Sequence, residues 1–159
     1  MSTTTTAHSH EQRIDLGEVL PGAYAALVRL DRAASEALDP TIYELVKLRA
    51  SQINGCAFCL DMHSRDARER GVSQQRLDVL SAWREAPSFF SEREQAALAF
   101  AEAVTLLSQH GVPDAIWDAA AAVFEPTELA ALLTGCIAIN SWNRVAVPTQ
   151  MPIPPAAAA

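Results

Sequence analysis

No stretch of the 159 residues approaches the ~20 consecutive apolar residues that a membrane-spanning helix requires. The longest apolar run, Leu129 to Ile139, already contains Thr134 and Gly135 and reads as core. The N-terminal residues through Arg13 contain no basic segment followed by an apolar one, so no secretory signal is expected. Positive charge is scarce: twelve Lys and Arg stand against nineteen Asp and Glu, a net charge of −7. That is the wrong sign for a protein that neutralises phosphates or rests on anionic lipid, which argues against nucleic acid and membrane as partners. There are only three cysteines, an odd number in a chain too long to need disulfide stapling. Thiols kept for chemistry in a reducing compartment are expected, with the cytoplasm as the default. Strand-like alternation of β-branched residues is missing, and no internal repeat interrupts the chain.

What remains is a globular composition, half hydrophobic and 19% charged, of a length suited to one domain. The ordered domain is expected over 15–150, between a disordered tail at 1–14 and a disordered Pro/Ala tail at 151–159. Pro148, Pro152, Pro154 and Pro155 speak against a helix there, and the closing alanines have nothing to pack against. Between the tails almost every segment repeats near 3.6 residues, which predicts an all-α, single-domain bundle of about seven helices. The first begins near Pro21 and ends before Pro40; the second runs from Pro40 to Asn54-Gly55, with Ile42, Leu45, Val46 and Ile53 inward. A third spans Cys56 to about Arg70, and a fourth follows Ser73, carries Leu77, Leu80 and Trp83, and breaks at Pro87. Ser91 to Glu94 has capping-box spacing for a fifth through Leu107; Pro113 opens a sixth, and Pro126 a last one reaching about Val147.

Chemistry concentrates in Gly55-Cys56-Ala57-Phe58-Cys59-Leu60-Asp61-Met62-His63. Cys56 and Cys59, three apart at a helix start, share a face, and their sulfurs can close a disulfide across one turn. Unpaired N–H groups and the positive end of the helix dipole lower a cysteine pKa below its free value of ~8.5. His63 lies one turn beyond Cys59 on the same face, within reach as a base. Glu44 lies eleven residues before Gly55, about 16 Å along the second helix, and His63 eight after it, about 12 Å along the third. Antiparallel packing brings them level within a turn, and a carboxylate among Ile42, Leu45 and Val46 needs a partner. Carboxylate, imidazole and two thiols are the parts that activate one sulfur and resolve its oxidised form with the other.

Glu44, eleven intervening residues, Cys56-x-x-Cys59, three residues and His63 resemble the active-site signature of the alkylhydroperoxidase D (AhpD) family of the carboxymuconolactone decarboxylase superfamily. The resemblance is close over about 42–71 and weaker over about 20–147, where Ile139 to Arg144 also resembles a late helix of these proteins. It implies an AhpD-like all-helical fold, assembly as a trimer or hexamer, and thiol-dependent reduction of a small-molecule hydroperoxide at the expense of a dithiol reductant. It also implies that Cys59 attacks the peroxide, Cys56 resolves it, and His63 and Glu44 relay protons, with no cofactor and no metal. One position departs from the family pattern: Phe58 stands where family members carry a second histidine. The decarboxylase branch lacks the cysteine pair, which disfavours decarboxylation here.

Plainer readings stand beside these. The cysteines could be small buried hydrophobes or half of a zinc site, although with His63 they supply only three ligands. Cys136 fits a core position, and Glu44 could pair with Lys47 or Arg49. Phe58 suits a pocket wall; Trp142, Asn143 and Arg144 suit a pocket, an interface or plain structure. His8, His10 and His110 show no reason to be ligands. The dipole favours Cys56 as the more exposed and acidic thiol, whereas His63 and the resemblance favour Cys59 as the attacking one. Besides the peroxidase, a protein disulfide oxidoreductase or a redox-sensing oligomer without peroxide turnover fits the same residues.

Overall fold

A computed structural model describes residues 11–155; most of the two expected tails, His8 and His10 included, lies outside the described residues. The 3.6-residue period is realised as nine α-helices with no strand among the described residues. They are α1 (Leu16–Val19), α2 (Pro21–Ser35), α3 (Pro40–Asn54), α4 (Ala57–Glu69), α5 (Gln74–Val79), α6 (Glu92–Thr105), α7 (Leu107–His110), α8 (Asp114–Ala121) and α9 (Pro126–Thr149), with 3₁₀ turns at Leu80–Glu85 and Pro87–Phe89. The expectation of about seven helices is short by two. Asp15 caps an unforeseen first turn through the N–H groups of Gly17 and Glu18, and a non-helical Leu106 cuts the fifth expected helix into α6 and α7.

The Ser91–Glu94 box and the opening prolines are in place as expected, and Asp39 adds a cap that was not expected. Asp39 accepts from Thr41 and Ile42, Ser91 and Glu94 form a capping box, and Pro21, Pro40 and Pro126 occupy first turns where no donor is missed. Pro148, expected to forbid helix, sits in the last turn of α9. Gln150 turns left-handed at φ 55, its N–H reaching the Val147 carbonyl and that of Met151 the Ala146 carbonyl, which is the Schellman ending.

The centre of the fold is α3, whose residues Ile42 to Leu48 are all buried. It packs against α4, α6 and α9, and α9 also lies along α2. The stretch Leu129 to Ile139, expected as core, holds Leu129, Leu132, Cys136 and Ile139 inside the chain and exposes chiefly Ile137. Glu102 on α6 ties the far end together, accepting from Arg49 Nε at 2.6 Å, from Trp83 Nε1 at 3.0 Å and from Arg84. Arg49 is thereby committed away from Glu44.

Contact between α3 and α9 depends on Gly135. A Cβ there would stand 2.9 Å from Tyr43 Cε2, and the Tyr43 ring cannot retreat because its hydroxyl donates to Asp31 Oδ1 at 2.8 Å. Overpacking at such a site costs about 1–3 kcal/mol, against about 1 kcal/mol gained by replacing a helical glycine with alanine. Gly135→Ala should therefore lower the unfolding free energy by about 1 kcal/mol in urea titrations. Gly22→Ala, which meets nothing within 4 Å, should leave stability unchanged or slightly raised.

Candidate active site

The link between α3 and α4 is as short as two helices allow. Gly55 ends α3 at φ 66, where its Cβ-free backbone takes the left-handed conformation without strain, and Cys56 is at once the N-cap of α4. The Cys56 N–H bonds back to the Ser51 carbonyl at 3.0 Å, folding the thiol under the turn. This reversal sets α4 antiparallel on α3 and brings Glu44 level with His63, whose Nδ1 stands 2.9 Å from Glu44 Oε2. Both side chains are buried. Burial by itself would raise the Glu44 carboxyl, but the hydrogen bond and charge of His63, helped by Lys47 and Arg70, outweigh it and hold the group below the usual carboxylate range. An ionised Glu44 makes Nδ1 the proton-bearing ring atom, so Nε2 is the nitrogen left for the cavity beyond.

That cavity measures about 310 Å³, and Cys59 and His63 both line it. Its walls are mostly apolar, with Tyr24, Val28, Met62 and Trp142 joined by Phe58, which takes the expected place of a wall. Trp142 packs edge-on against Tyr24 at 5.1 Å. Lys47 adds one buried cation, held 3.4 Å from Asp31 and 4.0 Å above the Tyr43 ring.

Cys56 and Cys59 are both free thiols, at 1% and 2% exposure. Cys56 is therefore not the outer, exposed thiol that the dipole argument expects, because the turn at Gly55 carries it inward. Its acidity agrees with that argument all the same. A hydrogen bond from the Cys59 thiol, opposed by burial and aided by the Cys59 N–H at 3.4 Å and the Asn143 amide, brings Cys56 from 9.0 down to about 7. The same bond and burial push Cys59 up, although Asn143 and Ser51 donate toward it. Cys136 lies fully buried in α9, as expected of a core residue, and burial raises its thiol to about 12.

Of the residues named from spacing, Cys56 and Cys59 lie at the turn of the α3–α4 hairpin and Glu44 and His63 pair farther along it, with Cys59 and His63 sharing one cavity. Sequence reasoning did not find Ser51, nor the role of Asn143 beside it. Asn143 on α9 is buried, donates from Nδ2 to Ser51 Oγ at 3.0 Å, and accepts from Asn54 Nδ2 at 2.8 Å. The available signal was polar: Asn140 and Asn143 interrupt an otherwise apolar helix. Arg144 points away and bonds the carbonyl of Asn140 on its own helix. Met151, half-buried, packs against the cluster containing both cysteines. For a metal, Glu44, His63 and Asp66 offer ligand atoms within 4.8 Å of one another. The Glu44–His63 bond and Arg70 Nε, 3.6 Å from the same carboxylate, already use that electron density.

No helix of the described residues is long and apolar enough to cross a membrane. Residues 21–103 match the model of the carboxymuconolactone decarboxylase family. The chain is 36% identical over 137 residues to the uncharacterized protein YdfG of Bacillus subtilis (strain 168), covering 86% of this chain and 92% of that one. An alkyl hydroperoxide reductase AhpD of Solibacter usitatus (strain Ellin6076) is 42% identical over 56 residues, only 32% of its own length. The crystal structure of ATU0492 from Agrobacterium tumefaciens, described as a protein of unknown function and putative antioxidant defence protein AhpD, superposes with a TM-score of 0.86. It is 38% identical and covers 91% of this chain and 99% of that one. With its all-helical fold, its cysteine pair and these relatives, the chain belongs to the carboxymuconolactone decarboxylase family and is AhpD-like.

Proposed function

We propose that the protein is a thiol peroxidase that reduces organic hydroperoxides through a Cys56–Cys59 dithiol/disulfide cycle. His63, bonded to Glu44 on one side and lining the Cys59 cavity on the other, is the observation that carries this proposal. Cys59 attacks the outer peroxide oxygen: an S–O bond forms, the O–O bond breaks, and the alkoxide takes a proton relayed through His63 and leaves as an alcohol. The Cys56 thiolate then attacks the sulfenic sulfur of Cys59, forming the disulfide and releasing hydroxide, which is protonated to water. A dithiol reductant restores both thiols. The apolar walls of the cavity suit an organic substituent on the peroxide. A reducing, cytoplasmic setting fits three free thiols in one chain.

Glu44→Gln and His63→Ala should each keep the fold, by circular dichroism, and slow consumption of cumene hydroperoxide by about 10² to 10⁴. The double variant should be little slower than the worse single one, because the two residues serve one proton path. Losses that multiply would separate them.

A second assignment of the attacking sulfur has an observation of its own, since Cys56 holds the thiolate at about pH 7. Cys59 is preferred because it, and not Cys56, lines the His63 cavity. One equivalent of hydroperoxide followed by a sulfenic-acid trap should label Cys59 in Cys56→Ser and leave Cys56 unlabelled in Cys59→Ser. The reverse labelling would make Cys56 the nucleophile.

A trimer or hexamer of this chain is proposed as the working assembly. Val19, Leu20 and Ile137 remain exposed at 66%, 57% and 46%, apolar area that a further copy would cover. Light scattering should return a threefold or sixfold multiple of 17.1 kDa, and a monomer at micromolar concentration would contradict it.

A further inference from the structure

Each sulfur of the pair opens into its own cavity. Cys59 lies in the 310 Å³ cavity with His63, while Cys56 lies in a second one, a groove of about 440 Å³ between the start of α4 and the end of α9. Gly55, Ala57, Val147, Gln150 and Ile153 line the groove with Cys56, and none of them carries a charge. Phe58, Ala146 and Met151 line both cavities and so form the partition between them. Met151 is held in that partition by the Schellman ending of α9, through its N–H to the Ala146 carbonyl at 3.0 Å.

Thiol–disulfide exchange is a displacement at sulfur, in which the attacking and leaving sulfurs stand on opposite sides of the one attacked. If Cys59 is the leaving sulfur, a reductant must reach Cys56 from the side away from Cys59. Of the two cavities, the groove is the one that Cys56 lines, and the cavity with His63 is lined by Cys59 instead. On the peroxidase reading, on which this inference rests, we propose that the dithiol is served by two entrances. Hydroperoxide reaches Cys59 through the cavity between α2 and α9, and the reductant thiol reaches Cys56 through the groove between α4 and α9, with Met151 as the shared wall. The reductant thiolate bonds to Cys56 as the Cys56–Cys59 bond breaks, and Cys59 departs as a thiolate and is reprotonated. The second thiol of the reductant then displaces Cys56, leaving the reductant as a disulfide. Two electrons pass from dithiol to hydroperoxide over the whole cycle. Oxidant and reductant do not compete for one opening, and a bulky group in either route slows one half-reaction only.

Val28 lines only the Cys59 cavity and Val147 only the Cys56 groove, and both are exposed helical positions, at 44% and 45%, where a larger side chain does not disturb the core. Val28→Trp and Val147→Trp are compared in two separate half-reactions, each followed by acid quench, alkylation and mass spectrometry. One is oxidation of the reduced protein by cumene hydroperoxide; the other is reduction by dithiothreitol of the disulfide preformed with diamide, which needs no peroxidase activity. Val28→Trp should slow oxidation about tenfold and leave reduction within about twofold, and Val147→Trp should do the reverse, since each step depends on access to its own sulfur. Both variants slowing the same step, or each slowing both steps alike, would overturn the two-entrance assignment. A wild-type protein indifferent to hydroperoxide would refute the peroxidase reading alone. The dithiothreitol arm then still decides the groove: slowing by Val147→Trp but not by Val28→Trp upholds it, and equal rates reject it.

Discussion

A carboxylate at 3% exposure, as Glu44 is, stays ionised only with partners that return what water would have given it. His63 supplies the principal one, and that single hydrogen bond dictates the register of α4 on α3. Slide α4 by one residue and His63 turns about 100° away from Glu44, leaving the charge to Arg70 and Lys47 alone. The same register fixes the height of Cys59, one turn nearer the helix start than His63. The buried Glu44–His63 hydrogen bond therefore sets which helical positions can take part in the site. Removing one partner of such a pair costs more than the pair contributes, since a buried unpaired group remains. The register is guarded by the penalty of every alternative rather than by the strength of the bond.

Two helix endings of one kind frame the cysteines. At Gly55 and again at Gln150 the chain turns left-handed, and in each case the next residue bonds back five positions, Cys56 to Ser51 and Met151 to Ala146. That backward bond tucks the following side chain against its own helix instead of releasing it to solvent. Cys56 thereby becomes buried while it caps α4, and Met151 comes to rest against Cys56 and Cys59. Glycine makes the first turn without strain. Gln150 is a non-glycine residue at φ 55 and makes the second at some cost, which is recovered through the burial of Met151.

The hairpin of α3 and α4 was legible from residue counts because it is local: two helices joined by a single turn leave only the rise per residue to set which side chains meet. The contribution of α9 was not legible in that way. Asn143 meets Ser51 across 92 positions, and Tyr24 meets Trp142 from opposite ends of the chain, contacts that periodicity places on inward faces without naming a partner. Pro148 was expected to end the helix because proline lacks the N–H that would bond one turn back, yet α9 runs through it to Thr149. Leu129 to Ile139 was legible as core from its apolar run alone, and α3 and the neighbouring helices bury most of it.

A hydrogen bond between the two thiols shifts their acidities in opposite directions. Each is too buried for both to ionise, and a hydrogen bond from the Cys59 thiol to Cys56 leaves the charge on the residue that also receives the N–H and dipole of α4. Acidity and access thus fall on different cysteines, since the low-pKa sulfur faces the uncharged groove and the high-pKa sulfur faces His63. A thiol held protonated until a base takes its proton stays unreactive toward chance electrophiles, whereas one that rests as a thiolate is ready to attack a neighbouring sulfenic acid at once. Asn143 donates toward both sulfurs and Ser51 toward Cys59, each favouring the ionised form of the thiol it faces. The direction of the Cys56 shift is the one the helix-dipole argument expects, but its largest cause is the hydrogen bond from the Cys59 thiol, and the N–H at the start of α4 is a smaller one.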